Sequence, residues 1–324
     1  MIALQIRKGL TLSILIVPLL SWSCNKKNNK EPNEKIETKC NISENIKNTS
    51  ISNGLATSSN PSSTRNVIYT PKDSAEVVSI LKANTPPNDV LFLARHFIGR
   101  PYIANTLEAS DPEKLIVNLR GLDCATLVEN VCALAMTKRQ GYDNFSDFCH
   151  NLTKIRYRNG KIKGYLSRLH YFSWWMQDNI KLGIIREVRV SPQLTKPLTT
   201  YINYMSKHAN KYKILTSHPN WVDSISHMER STKDIEGRYL PKKYTNLSKK
   251  HLSEIHNGDI IAIVTSKEGL DYSHLGFAVW GKDHKIHLLN ASMIHKKVIE
   301  EPLSLYTYLN QHKSFIGIRI LRIN

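Results

Sequence analysis

The chain has 324 residues, a length that suits one large domain or two small ones. Its composition, 41% hydrophobic and 22% charged, describes an ordinary globular protein, and an odd cysteine count of five argues against a disulfide framework. The net charge of +18 favours anionic partners, such as an acidic envelope polymer. Zinc-finger spacing, an aromatic RNA-binding signature and a compact basic helix are all missing, so we expect no nucleic-acid partner and interpret most of the charge as solvated surface.

Residues 1–23 have the parts of a secretory signal, because a positive region precedes an apolar run that is too short to span a bilayer. A small residue, Ser23, stands directly before Cys24, which is typical of a bacterial lipobox. We expect diacylation of Cys24 and a lipid-anchored protein of the cell envelope, periplasmic or associated with the outer membrane. The alternative is an ordinary cleaved signal with an incidental cysteine, and the protein is then secreted.

Residues 24–64 predict a disordered tether. They are rich in Asn, Lys, Ser, Thr and Glu and have little apolar periodicity, so they cannot bury enough surface to fold. The composition changes near Val67, and we expect one folded domain over residues 65–324.

The folded region opens with two predicted helices, over residues 73–84 and 88–97. The second ends at Gly99, and Pro101 cannot continue it. The turn that follows presents Tyr102. This side chain is interpreted either as a packed tyrosine or as a rim of an active site.

The central stretch is residues 120–130, which follow a predicted strand over residues 115–119. Asp123 is a good N-cap, and the apolar spacing after it predicts a helix that begins at Cys124. The thiolate is the nucleophilic form of cysteine, and the partial positive charge of a helix start lowers the pKa of a thiol. The same helix start offers backbone N–H groups to an oxyanion. Cys124 is therefore a candidate nucleophile.

The remainder of the chain is less periodic at first and then rich in strands. The aromatic side chains of residues 164–178 suit either a core or a sugar-binding groove, and residues 187–250 read as an elaborated insert of strands and short helices. Helices early and antiparallel strands late predict an α+β fold in one domain. The other predicted elements are a helix over residues 144–157, strands over 258–265, 273–280, 284–290 and 315–323, and a helix over 303–310.

One of the 13 histidines stands out through strand geometry. In the strand over residues 273–280, a period of two puts His274 on the same face as Gly276 and Ala278. Such small neighbours would let a helix approach closely. His274 is thus the candidate general base, with a buried structural histidine as the alternative.

A third member follows from the turn after this strand. A three-residue loop over residues 281–283 would put Asn290 directly opposite His274, where it can orient the imidazole. His287 would then lie on the other face. His284 and His287 face opposite sides of a strand, and no paired cysteines accompany them, so we expect no metal site and no cofactor.

Five segments of the chain match a known family: residues 97–102, 120–130, 258–261, 269–276 and 290–292. Together they resemble the NlpC/P60 papain-like cysteine peptidases, and most closely the DUF1460 branch, the N-acetylmuramoyl-L-alanine amidase-like proteins. The resemblance implies a papain-like fold with the nucleophile at a helix N-terminus packed on a central antiparallel sheet. It also implies cleavage of the amide between N-acetylmuramic acid and L-alanine in peptidoglycan fragments, through a thioester.

Carried over, the resemblance makes Cys124 the nucleophile, His274 the base and Asn290 the residue that orients it. Asn290 departs from many relatives, which have histidine there. Four residues of the matching segments are assigned to substrate binding: Tyr102, Arg120, Asp123 and Ser273. We expect a monomer that acts on peptidoglycan or muropeptides. The alternatives are a γ-D-glutamyl-diamino acid endopeptidase and, from another class, a catalytically silent lipoprotein that binds the cell wall.

Overall fold

The computed structural model describes residues 66–84, 86, 89–232 and 235–324. The predicted signal, Cys24 and the tether up to residue 64 lie outside the described residues, so they stay predictions.

Helices cover the first half of the described chain, and several have caps that explain where they begin. Thr70 and Asp73 form a capping box at the first helix, with Pro71 in its first turn, and Asn144 caps the fourth through the N–H of Asp147. The α-helices are α1 (Pro71–Lys82), α2 (Val90–Arg95), α3 (Cys124–Arg139), α4 (Phe145–Arg156), α5 (Phe172–Lys181), α6 (Tyr204–Lys207), α7 (Lys213–Ser217), α8 (Trp221–Ser231) and α9 (Leu305–Asn310).

The strands concentrate in the second half. They are β1 (Val67–Ile68), β2 (Leu115–Ile116), β3 (Ile185–Glu187), β4 (Lys196–Thr200), β5 (Ile235–Pro241), β6 (Ile260–Thr265), β7 (Tyr272–Trp280), β8 (Ile286–Ser292), β9 (Lys297–Glu300) and β10 (Phe315–Ile323). Short 3-10 helices fill some of the connections, at Thr106–Ala109, Arg158–Gly160, Tyr165–Ser167, Pro192–Leu194, Ala209–Lys211 and Lys242–Asn246.

The main sheet has eight strands in the order β4-β5-β10-β6-β7-β8-β9, with β3 pairing on β10. Every pairing in it is antiparallel, whereas β1 and β2 form a separate parallel pair. The predicted α+β fold with an antiparallel sheet is therefore confirmed. The region predicted as an insert contributes β4 and β5, which extend the main sheet past β10.

The sheet buries both of its faces, and a different layer covers each. One apolar cluster joins the helices of the first half to alternate residues of β7, such as Leu275 and Phe277. A second cluster joins Ala278 of β7 and Leu288 of β8 to α9. The site described below lies where the start of β7 meets the start of α3. No helix within the described ranges is both long and apolar enough to cross a membrane.

Candidate active site

Cys124 is the first residue of α3, and Asp123 is its N-cap, as predicted. The Asp123 carboxylate accepts a hydrogen bond from the backbone N–H of Thr126 at 2.8 Å, and the Thr126 hydroxyl accepts one from the N–H of Asp123 at 2.9 Å. This reciprocal cap fixes the first turn and leaves the half-buried Cys124 thiol at its tip. Gly121, in the turn before the helix, lies close to Ile103: a Cβ there would be 2.4 Å from its Cδ1, so a larger residue would require the Ile103 side chain to move.

Tyr102 lies beside this helix start because its backbone is held on two sides. The N–H of Tyr102 donates to the carbonyl of Lys296 at 2.9 Å, and Tyr102 bridges to Leu122 in the turn before α3. Burial raises the pKa of its hydroxyl above the usual range, and the nearby Cys124 and Asp123 raise it further. The hydroxyl therefore stays protonated and able to donate a hydrogen bond.

His274 and Asn290 come together as predicted, although the register between their strands differs. The loop between β7 and β8 has three residues but begins one residue later, because the N–H of Gly281 donates to the carbonyl of Lys285 at 2.8 Å. The pairs run from Phe277 opposite Leu289 to Trp280 opposite Ile286. Continuing that register puts Asn290 across from Gly276, so the prediction that it directly faces His274 is wrong by two residues.

The contact survives because a shift of two residues keeps every side chain on the same face. Asn290 reaches His274 diagonally, with its Oδ1 2.8 Å from the Nε2 of the imidazole. Diagonal neighbours in an antiparallel pair lie within reach of long side chains. His287 faces the other way, toward Asp283 and the backbone carbonyl of Glu301, as parity requires.

The small residues next to His274 have a different role from the predicted one. The core of α3 shares an apolar cluster with Leu275 and Phe277, while Ala278 belongs to the cluster on α9. A Cβ on Gly276 would lie 2.6 Å from the backbone oxygen of Leu289 and 2.8 Å from the Cδ1 of Leu288. Gly276 therefore makes room for the neighbouring strand, and the idea that it admits a helix was wrong.

Cys124 and His274 line one cavity of about 230 Å³. Its first wall is the start of α3 and the start of β7, including Ser273 and Leu275. Its second wall is mainly apolar and aromatic: residues 169–172, Trp175, Met205 and Tyr212. The cavity thus combines two reactive side chains with a surface suited to a partly apolar ligand.

At rest both reactive groups are neutral. Burial raises the pKa of the Cys124 thiol to about 12, and Asp123 adds to the rise, while the backbone N–H groups of Leu275, Cys124 and Ala125 oppose it. The helix start thus lowers the thiol pKa as expected, but burial outweighs the helix N–H groups, so the net shift is upward. Burial also lowers the pKa of His274, and the hydrogen bond that its Nε2 makes to the amide oxygen of Asn290 opposes this by raising it. A neutral imidazole can act as a proton acceptor.

Of the four residues assigned to substrate binding, Tyr102 is described above, and the other three have different surroundings. Ser273 lines the cavity, and its buried hydroxyl has no hydrogen-bond partner among the described residues. Asp123 serves the helix cap. Arg120 points away: its Nε lies 3.5 Å from the Oδ1 of Asp73, and the residue does not line the cavity.

Two cavity carboxyls escaped the sequence analysis. The Oδ2 of Asp271 accepts from the N–H of Ser173 in the first turn of α5 at 2.7 Å, and burial raises its pKa. Glu129 pairs with Arg156 at 2.7 Å, and burial raises its pKa too. Glu129 reads as an ordinary polar helix position, but Asp271, three residues before His274 and at the start of a strand, could have been found.

Across the ranges that the structure describes, no group of three or more His, Cys, Asp or Glu side chains is arranged to hold a metal ion.

Comparison with known proteins shows which family the chain is similar to. The family described as N-acetylmuramoyl-L-alanine amidase-like matches residues 92–318. A solved N-acetylmuramoyl-L-alanine amidase from Bacteroides uniformis ATCC 8492 is 39% identical, with a TM-score of 0.68, over 74% of this chain and 98% of its own. A Bacteroides fragilis structure named as a candidate xylanase is 40% identical, with a TM-score of 0.67, over 72% and 100%.

A more distant structure extends the same fold. A Legionella pneumophila protein of the DUF1460 family is 21% identical, with a TM-score of 0.63, over 78% of this chain and 94% of its own. A comparison with curated proteins gave no match. The family match spans most of the described chain, including Cys124, His274 and Asn290. The chain therefore belongs to the N-acetylmuramoyl-L-alanine amidase-like family.

Proposed function

We propose that this protein is a cysteine amidase that cleaves the bond between N-acetylmuramic acid and L-alanine in peptidoglycan fragments, on a papain-like scaffold of the NlpC/P60 type. The observation that carries the proposal is that Cys124 and His274 line one cavity and that Asn290 holds the imidazole by its Nε2 at 2.8 Å. The Nδ1 of the ring is then left for the thiol. A nucleophile, a base and a group that orients the base are the parts that acyl transfer requires.

In the acylation step the Nδ1 of His274 takes the thiol proton as the sulfur of Cys124 attacks the lactyl carbonyl carbon. The C–S bond forms, and when the tetrahedral intermediate collapses the C–N bond breaks. The imidazolium gives its proton to the departing amine of L-alanine. Because both groups are neutral at rest, the thiolate arises only during the attack, by general-base catalysis.

The oxyanion of the intermediate needs hydrogen-bond donors that are already in place. The backbone N–H of Cys124 lies at the helix start, and Tyr102, whose hydroxyl stays protonated, has its backbone bridged to Leu122 just before that helix, although its side chain does not line the cavity. We assign these two groups to the oxyanion. Tyr102 thus has a more specific role than the substrate rim expected from the sequence.

Deacylation repeats the same proton transfers with water. His274 takes a proton from the water as its oxygen attacks the thioester carbon, and the C–S bond then breaks. The proton returns from the imidazolium to the sulfur, which restores the neutral pair. The free hydroxyl of Ser273 is suitably placed to bind a polar substrate group in the cavity.

The test is a digest of defined muropeptides read by mass spectrometry. We expect a free muramoyl sugar and an intact stem peptide beginning with L-alanine, and no such products from Cys124→Ala. A matched control is Cys149→Ala, the same change at a buried thiol in α4, which should remain active. Cleavage after γ-D-glutamate would instead support the endopeptidase. An inactive wild type, with no preferential alkylation of Cys124, would support the silent wall-binding protein.

The xylanase name of one relative raises glycoside hydrolysis as a second candidate, and the cavity does contain two carboxyls, Glu129 and Asp271. Glycosidases use one carboxyl as an acid and the other as a nucleophile or base. Here Glu129 is engaged by Arg156, and Asp271 by the N–H groups of Ser173 and Tyr272. If the protein hydrolysed xylan, and Asp271→Asn abolished this activity while Cys124→Ala left it intact, the result would support glycoside hydrolysis.

We further propose that the protein acts in the cell envelope, anchored by a lipid on Cys24. The support is the lipobox-like sequence, and a peptidoglycan substrate fits that compartment. Membrane fractionation of Cys24→Ala should show release of the protein. Unchanged partitioning would contradict the anchor without affecting the proposed amidase.

A further inference from the structure

Glu301, directly after β9, is a buried carboxylate that points into the active-site hydrogen bonds. Its side chain is only 3% exposed. The Oε1 accepts a hydrogen bond from the Nδ2 of Asn290 at 3.0 Å, and the Oε2 lies 3.2 Å from the Nε2 of His295. Its backbone N–H donates to the carbonyl of Leu288 at 2.8 Å, which ties it to the strand that carries Asn290. A carboxylate is rarely buried without a specific partner, and here the partner is the amide that orients the base.

The chemistry of these contacts fixes which way each group faces. A carboxylate can only accept hydrogen bonds, so Asn290 must turn its NH₂ toward Glu301. The amide oxygen then faces His274, as the 2.8 Å contact has it. A carbonyl oxygen is an acceptor as well, so the Nε2 of a neutral imidazole must carry the hydrogen. The lone pair is left on Nδ1, the atom that does not face Asn290.

Without the carboxylate this assignment is not unique. An asparagine amide can rotate by half a turn at little steric cost, because its oxygen and nitrogen have nearly the same size. Rotated, it would donate to the Nε2 and move the ring hydrogen to Nδ1, where the base must be bare. The second acceptor near the Asn290 amide, the carbonyl of Leu288, lies at the longer distance of 3.5 Å. The strong constraint on the amide is therefore Glu301.

We propose that Glu301 is a positioning residue: it fixes the orientation of the Asn290 amide and so makes the Nδ1 of His274 the atom that takes the thiol proton. The inference rests on the proposed cysteine mechanism and deepens it. Its residues come from three consecutive parts of the sheet region, because His274 lies on β7, Asn290 on β8 and Glu301 directly after β9.

The charge of Glu301 also acts on His274 and gives a signature that a purely structural residue would not. Among the charged groups around the ring, Glu301 and Asp123 favour the imidazolium and raise the pKa of His274, and His312 lowers it. Glu301 is itself faced by His295 and by Tyr308, whose pKa it raises. Removing the negative charge should thus lower the pKa of His274 and move the acid limb of activity to lower pH.

The experiment compares Glu301→Gln and Glu301→Leu with Glu300→Gln, the same change one residue earlier. Glu300 faces the other way, is about one-third exposed and pairs with Arg95. We expect kcat to fall on the order of tenfold to hundredfold for Glu301→Leu, a size typical of groups that orient a functional histidine. Glu301→Gln, which keeps one acceptor, should lose less. Both should keep KM within about twofold and shift the acid limb downward, and Glu300→Gln should change neither.

A measurement on the wild type decides the question even if a Glu301 variant fails to fold. Nitrogen NMR of labelled histidine, assigned through His274→Ala, should show the hydrogen on Nε2 above the pKa of the ring. A hydrogen on Nδ1, or a folded Glu301→Gln with wild-type kcat and acid limb, would overturn the positioning role. An active Cys124→Ala would refute the cysteine mechanism instead, so the two failures are distinguishable.

Discussion

The two walls of the cavity are built in different ways. The wall that carries Cys124 and His274 comes from one capped helix start and an antiparallel hairpin, and the pairing of β7 with β6 shifts register next to His274. The opposite wall comes from the loop before α5, the helix itself and the short helices after β4. It is held by Glu229 of α8, whose carboxylate accepts from the Tyr171 hydroxyl at 2.6 Å and the N–H of Met205 at 3.1 Å.

The two walls therefore have different roles: the first carries the candidate catalytic groups, and the second gives the cavity its shape. Hydrogen-bonded strand pairs hold side chains to fixed faces and spacings, as a proton-transfer site requires. The opposite wall rests on two carboxylates, those of Glu229 and Asp271, and on aromatic packing, such as the edge-to-face contact of Tyr171 with Trp174. We expect changes in the first wall to act on kcat and changes in the second to act on KM.

Asn290→Ala should give the largest effect among the tests of this contrast. The imidazole loses its orienting acceptor, so we expect kcat to fall on the order of tenfold to hundredfold with little change in KM. His287→Ala is the matched control, because this histidine lies on the other face of the same strand and pairs with Asp283. Steady-state kinetics on a defined muropeptide measures both. If His287→Ala lost activity and Asn290→Ala kept it, the orienting role of Asn290 would be contradicted, and the functional side chain would be His287 on the other face of β8.

The pH profile should follow His274. Burial holds the pKa of the ring below 6.5, so the neutral base persists to lower pH than a free histidine would allow. Activity should thus be level near neutrality and fall about tenfold per pH unit once the pH drops below the pKa of the ring. The dependence of kcat/KM on pH is the measurement. An acid limb above pH 6.5 would mean that the ring is charged at rest.

Tyr171→Phe tests the second wall. It removes the hydrogen bond that the hydroxyl donates to Glu229 and the one that it accepts from the N–H of Met205 at 2.8 Å. The Glu229 carboxylate and the Met205 N–H keep each other as partners, so we expect a loss of about 0.5–1.5 kcal/mol in the free energy of unfolding. KM should rise a few-fold while kcat stays within about twofold, because the wall loosens without moving the reactive groups. Tyr157→Phe removes a comparable hydrogen bond, to Glu113 at 2.8 Å, outside the cavity. It should lower the thermal midpoint similarly and leave KM unchanged. If Tyr171→Phe lowered kcat and left KM unchanged, the proposed difference between the two walls would be contradicted.

The smallest effect is expected for Arg120→Ala. Its half-exposed guanidinium pairs with Asp73 and does not line the cavity, and a pair with an exposed member contributes little to stability. We expect kcat/KM to stay within about twofold of the wild type. A KM raised tenfold would instead place Arg120 in contact with substrate, as the sequence resemblance had suggested.

The first wall was accessible from the sequence because it depends on local rules. A capping residue and an apolar repeat predict the start of α3, and strand parity singles out His274 among the histidines. The predicted register between β7 and β8 was wrong because the loop begins at Lys282 and not at Gly281. His284, the last residue of this loop, has a left-handed backbone with φ of 59°. A three-residue loop moved by one position shifts all pairs by two, so each side chain kept its face.

The second wall could not be predicted, because long-range contacts decide it. The aromatic stretch gave no means of separating core from groove, and in fact it does both: Trp174 packs in the interior, while Phe172 and Trp175 line the cavity. The rise in the thiol pKa was missed for the same reason. Burial of Cys124 depends on how β7 approaches α3, and no pattern within either segment reports it.

The hairpin of β8 and β9 supports both halves of the proposed chemistry at once. One end of β9 holds the backbone that presents Tyr102, through Lys296 and through Val298, whose N–H donates to the carbonyl of Arg100 at 2.8 Å. The other end leads to Glu301, which holds the Asn290 amide. A local opening of this short outermost strand would therefore release the oxyanion donor and misalign the base together. Thermal inactivation should follow amide hydrogen exchange in residues 297–301 and precede global unfolding.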